Sequence, residues 1–70
     1  VDGSRVAELR INAGKTQAEL SREAGVSLMH LSAIERGVAD NPKLATLTAL
    51  ARALGCTIAD LLGEPKKVAG

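Results

Sequence analysis

Capping residues and glycines divide this chain at intervals that leave room only for short helices. Thr16 followed by Glu19 has the form of a capping box, in which hydroxyl and carboxylate satisfy each other's free backbone donors. Gly25 then interrupts the pattern. Ser27 can start a second helix, with Val26 placed to staple onto Leu31 one turn further in. Gly37 supplies a left-handed stop. Residues 15–37 therefore read as two short helices joined by a tight turn.

The same reasoning places three more helices around that pair. A first runs from about Ser4 to Ala13, with Val6, Leu9 and Ala13 at three- and four-residue spacing and Gly14 ending it. The second covers about Gln17–Ala24, turning Ala18, Leu20 and Ala24 inwards, and the third runs over 27–36. A loop from Gly37 to Lys43 carries Asp40, Asn41 and Pro42, which favour turns. The fourth helix, about Leu44–Leu54, shows an apolar stripe of Leu47, Leu50, Ala51 and Leu54 and stops at Gly55. Thr57 caps a fifth that contains Ile58, Leu61 and Leu62, with Gly63 after it. Nothing alternates with a strand period, so the expected fold is all-α, a five-helix bundle over 1–63. Residues 64–70, with Pro65 and two lysines, form a tail or the start of a linker. The chain opens on Val1, as a processed product or a piece of a longer protein would. With no Phe, Tyr or Trp, its core must come from Leu, Ile, Val and Ala, which suit helix-on-helix packing.

Several functional classes drop out. Seventy residues make one domain at most. The sole cysteine, Cys56, has no internal disulfide partner; it fits a reducing compartment and reads as a small apolar residue in a turn. No apolar run is long enough to span a membrane, and no secretory signal pattern is visible. No nucleophile-base constellation, metal-ligand spacing or phosphate-cradling loop is present, and His30 and Cys56 fall on different elements. The expectation is a protein that is not an enzyme and needs neither cofactor nor metal. Nine basic against eight acidic residues give a net charge of +1, so a nucleic-acid partner requires the basic groups to be placed on one side.

Two helices joined by a glycine-containing turn make a unit that can lay its second helix in the major groove of DNA. At about 100° per residue, Leu31, Ile34 and Glu35 share one side of the third helix. Leu28, Met29, Ser32, Ala33 and Arg36 occupy an opposing arc of roughly 140°. That arc is small, apolar or weakly polar, where a solvated face would carry Lys, Glu or Gln. Leu28 and Met29 suit thymine methyls and Ser32 a base edge, or else they belong to the core or a dimer contact. His30 sits at the border of the arcs and reads as solvated. Gln17, at the start of the second helix, can bridge a phosphate and a base, or align a side chain of the third helix. Arg10 and Glu35 can pair between helices, which would stand Arg10 beside a DNA backbone. Lys43 is a further candidate phosphate contact; both basic residues also fit as solvated surface charges.

With these residues in view, the chain resembles the helix-turn-helix family of the lambdoid phage repressors and Cro, shared by xenobiotic-response-element regulators. The resemblance rests on Arg10-Ile11, Thr16-Gln17-Ala18-Glu19-Leu20, Ala24-Gly25-Val26-Ser27 and Ile34-Glu35-Arg36-Gly37. It continues through Asn41-Pro42, Leu47, Leu50-Ala51, Ala53-Leu54-Gly55 and Ile58-Ala59-Asp60-Leu61-Leu62. The likeness implies a compact domain that binds operator DNA as a two-fold homodimer. By position it gives Gln17, Leu28, Met29, Ser32 and Ala33 a base-facing role. Arg10, Gln17, Ser27, Arg36, Asn41 and Lys43 inherit a backbone-facing role, and Cys56, Thr57 and Ile58 the dimer contact. Well-known members carry Gln, Asn or Arg at base-facing positions where this chain has Leu28, Met29 and Ala33. The function expected is that of a sequence-specific transcriptional regulator, cytoplasmic and nucleoid-associated. The alternatives are an antitoxin of a toxin-antitoxin pair, or a module of a larger regulator using the same fold for protein contacts.

Overall fold

Asp2 decides where the first helix begins. Its carboxylate accepts the backbone N–H groups of Ser4 at 3.1 Å and Arg5 at 3.3 Å, so α1 spans Gly3–Asn12. That is one residue earlier at each end than the spacing predicts. Ala13 becomes an exposed C-cap and leaves the apolar stripe to Val6 and Leu9. The computed structural model describes residues 2–39 and 42–63, and all regular structure among them is helical. Asn41 and the tail 64–70 lie outside the described residues.

Local chemistry sets the remaining boundaries. The Thr16 hydroxyl accepts from the Glu19 amide at 3.0 Å, and the Glu19 carboxylate accepts from the Thr16 amide at 2.9 Å, opening α2 at Gln17–Ala24. Gly25 closes it at φ 70°, a left-handed backbone that costs glycine little. The Ser27 hydroxyl accepts the His30 amide at 3.1 Å, and α3 follows at Leu28–Glu35. Its end is a double hydrogen bond around Gly37 at φ 76°. Gly37 N–H donates to Ile34 at 3.1 Å and Val38 N–H to Ala33 at 3.0 Å. Ser27 and Arg36 are thus caps, and the helix read as 27–36 is one residue shorter at each end. Helix α4 covers Leu44–Leu54, and a second capping box, Thr57 with Asp60, opens α5 at Ile58–Leu62.

Helix α2 packs on α3 and α4, α1 on α3 and α5, and α4 on α5. Val6, Leu20, Leu31, Ile34, Leu47, Leu50, Ala51 and Leu61 are buried between them. Leu9, Ala24, Val26, Leu54, Cys56 and Ile58 pack on the edge of this cluster. Ala18, expected to face inwards, is exposed: it lies about 200° around α2 from Leu20, whereas Ala24 lies about 40° away. Leu62 is 38% exposed for the same reason, a single step of about 100° from the buried Leu61.

One close approach ties α1 to α3. A methyl group added at Gly3 would stand 2.3 Å from the Ile34 carbonyl oxygen and 2.7 Å from that of Glu35. The N-terminus of α1 therefore rests on the C-terminal carbonyls of α3, a favourable meeting of opposite helix-dipole ends. Only a residue without Cβ permits it.

Candidate nucleic-acid interface

The inner side of α3 is anchored by packing and by a polar clamp. Leu31 and Ile34 are fully buried, and the Glu35 side chain is 5% exposed. Arg10 Nε donates to Glu35 Oε2 at 2.7 Å and Nη2 to Oε1 at 3.1 Å, a bidentate pair. Arg10 Nη1 donates to the Lys15 carbonyl at 2.8 Å, and Gln17 Nε2 reaches Glu35 Oε1 at 2.9 Å. One carboxylate thus joins α1, α2 and α3. Desolvation offsets much of the attraction in such a pair, so its main product is orientation.

This clamp engages two residues to which the resemblance gives a DNA-facing role. Nε, Nη1 and Nη2 of Arg10 each already donate within the protein, its charge is met by Glu35, and its side chain is 15% exposed. Arg10 is fixed beside α3 by this pair. Gln17 donates its Nε2 to Glu35, the contact of the alignment alternative.

The outer side of α3 is unlike the inner. Met29 is 82% exposed and Leu28 48%, and Arg36 is exposed at the helix end. Ser32 and Ala33 are half-buried and form the floor between these protruding groups; His30 is half-buried at the flank. Ser27 is exposed while its hydroxyl accepts the His30 amide. Lys43, exposed, is the N-cap of α4 and makes no side-chain capping bond. At the fifth helix Cys56 and Ile58 lean on the core, and only Thr57 of the three expected dimer residues is exposed. Burial, helped by the Asp60 carboxylate, pushes the Cys56 thiol above its usual pKa and keeps it protonated.

The near-neutral charge total hides an asymmetry in engagement. Among the described residues each carboxylate is committed. Asp2 caps α1, Glu8 pairs with Arg5, Glu19 and Asp60 complete capping boxes, Glu23 meets Lys15 at 2.7 Å, and Glu35 holds Arg10. Arg22, Arg36, Lys43 and Arg52 enter no ion pair among the described residues. The Thr16 backbone N–H, then its hydroxyl, hold the Glu19 carboxyl below the usual carboxylate range. No group of residues among those described has the makings of a metal site, and no helix is long and apolar enough to cross a membrane.

Two positioning residues escape a reading of the pattern. Asp2 is a good N-cap by type, but Ser4 competes for the same duty two residues on. Gly3 carries no local signal, because its partners belong to another helix.

A helix-turn-helix family model matches residues 6–61. The chain is 43% identical over 60 residues to y4dJ of Sinorhizobium fredii, an uncharacterized HTH-type transcriptional regulator, covering 86% of this chain and 77% of that protein. It is 39% identical over 62 residues to the immunity repressor protein of Bacillus phage phi105, covering 89% of this chain but 42% of the repressor. The crystal structure of SinR, a master regulator for biofilm formation, in complex with DNA superposes with a TM-score of 0.82 at 33% identity. That match covers 86% of this chain and 95% of the other. The chain belongs to the helix-turn-helix family, in the lambdoid repressor and Cro-like group that its motifs resemble.

Proposed function

We propose that this chain is the sequence-specific DNA-binding domain of a transcriptional regulator, with α3 as the helix that enters the major groove. The observation that carries the reading is the two-sided character of α3. Leu31, Ile34 and the Glu35 clamp hold it from behind while Leu28, Met29 and Arg36 stand clear. A helix about 10–12 Å across fits a groove about 12 Å wide. The relatives support it, since they are named as transcriptional regulators and a repressor, and SinR is solved on DNA.

Within this reading Leu28, Met29, Ser32 and Ala33 face bases. Ser27, Arg36, Asn41 and Lys43 face phosphates, and Gln17 and Arg10 set the angle of α3 through Glu35. Two copies meeting near Cys56, Thr57 and Ile58 would place their recognition helices about 34–36 Å apart on a two-fold operator. Such a regulator works in the compartment that holds the DNA, the cytoplasm of a bacterial cell.

A selection from random duplexes at fixed salt tests the proposal. The expected result is an enriched, two-fold symmetric site whose affinity falls with salt by a log-log slope of about −0.9 per phosphate neutralised. Lys43→Ala makes that slope shallower by about one unit without changing the enriched sequence. Failure to enrich any duplex contradicts the reading and favours an antitoxin-like role, in which the apolar face of α3 meets a protein and salt matters little.

A further inference from the structure

We infer that α3 reads its operator mainly through the C5-methyl groups of thymine, covered by Leu28 and Met29, in place of forked hydrogen bonds to adenine or guanine. The inference rests on the DNA-binding role proposed above and names what that site recognises.

Bidentate readout needs a side chain with two polar atoms free to face a base pair. Helix α3 carries two side chains with a pair of polar atoms, His30 and Glu35. The ring nitrogens of His30, half-buried at the flank, diverge and cannot fork onto one base edge, and both Glu35 oxygens are taken by Arg10 and Gln17. Gln17, at the start of α2, donates its amide nitrogen to that carboxylate. Arg36 comes after the last helical residue, and its Nε reaches back to the Ser32 carbonyl at 3.4 Å. What remains at the N-terminal turn, the end of a recognition helix that meets base edges, is Leu28 and Met29. Both are large and apolar, and Met29 is the more exposed by a wide margin.

In the major groove thymine alone among the four bases presents a methyl group. Covering it with an aliphatic or thioether side chain removes apolar surface from water on both partners. Met29 is unbranched and adapts to the methyl's position, while the less exposed, branched Leu28 gives a stiffer contact. Ser32, between them on the same arc, supplies a single hydroxyl.

Magnitudes give a further consequence. One buried methyl group corresponds to about a fourfold change in affinity. A bidentate contact discriminates by about five- to 150-fold. A methyl-reading helix therefore ranks sequences shallowly, and its half-site gains selectivity by placing thymine at more than one contacted position.

The test uses the duplex enriched by selection, with three substitutions at each thymine facing α3. Deoxyuridine removes the methyl and keeps the pairing. A 5-methylcytosine·guanine pair keeps the methyl and changes the pattern of donors and acceptors. An ordinary cytosine·guanine pair changes both. The expected result is about fourfold weaker binding for each uridine, 5-methylcytosine within about twofold of thymine, and ordinary cytosine well below it. Met29→Ala should abolish the thymine–uridine difference at its contact. Its exposed side chain makes loss of the fold a non-issue, and Leu28→Ala tests the neighbouring contact in the same way. Equal binding of thymine and uridine duplexes overturns the proposal, as does a 5-methylcytosine duplex no better than the cytosine one. A thymine–uridine difference that survives in both variants also overturns it. If the protein retains no duplex at all, the DNA-binding reading itself has failed. Binding that is tight but blind to the methyl sinks this proposal alone.

Discussion

The two sides of α3 place opposite demands on eight residues, Leu28 to Glu35. On the inner side every group has partners from other helices. Leu31 and Ile34 fill the core, Glu35 is held by Arg10 and Gln17, and the terminal carbonyls meet Gly3. On the outer side Leu28 and Met29 project with little cover. A pre-positioned helix loses less freedom on binding, so a costly inner side improves a sparse outer one. Affinity and fold stability should accordingly respond to different residues of one helix.

The largest separation is expected from Glu35→Ala. It leaves the mostly buried Arg10 guanidinium without its carboxylate and should cost about 3 kcal/mol in urea unfolding. A loss below about 0.5 kcal/mol, the size of an ordinary surface change, would show that the clamp does not anchor α3.

Gly3→Ala comes next. Alanine normally favours a helix by about 1 kcal/mol over glycine. Here its methyl would collide with two backbone oxygens of α3, so the net change should be destabilising by about 1–3 kcal/mol. A gain in stability would mean that α1 and α3 are not in contact at this point.

Thr16→Ala removes a cap and should cost about 1 kcal/mol at neutral pH. The box also predicts a pH dependence. Glu19 has its folded pKa below the ordinary 4.5, so its stabilising contribution is complete above that value and is lost as pH falls through the lower, folded one. Urea midpoints of the native protein and of Glu19→Gln should differ at pH 7 and converge in acid. A constant gap across the range would contradict the assignment.

The smallest effect on stability, within about 0.5 kcal/mol, belongs to Met29→Ala on the outer side. Its consequence should appear in the enriched operator sequence, with the salt slope unchanged. A variant that unfolds more easily yet selects the same sites would reverse the division between the two sides.

Local chemistry was legible along the chain, and contacts between distant residues only partly so. The bounds of α2 and the end of α4 follow from caps and left-handed glycines within a few residues, as does the start of α5 after Thr57. The start of α1 does not, because Asp2 and Ser4 are rival caps and only packing chooses between them. The Arg10–Glu35 pair is suggested by opposite charges on sides expected to face each other. Gln17 left two partners open because an amide serves a phosphate and a carboxylate equally well. The Gly3 approach has no sequence signature, since it depends on where α3 ends in space. Helical spacing groups Leu28, Met29, Ser32 and Ala33 on one arc, yet gives no depth. The half-burial of Ser32 and Ala33 comes from neighbouring elements.

The most direct measurement of the central claim is an amide NMR titration of the protein with its selected duplex. Backbone shifts should concentrate from Ser27 to Arg36, with Lys43 and the start of α4 following and a separate smaller set at Cys56, Thr57 and Ile58 where two copies meet, while the buried core changes little. Shifts confined to α1 or α5, with Leu28 and Met29 unmoved at saturation, would contradict the account.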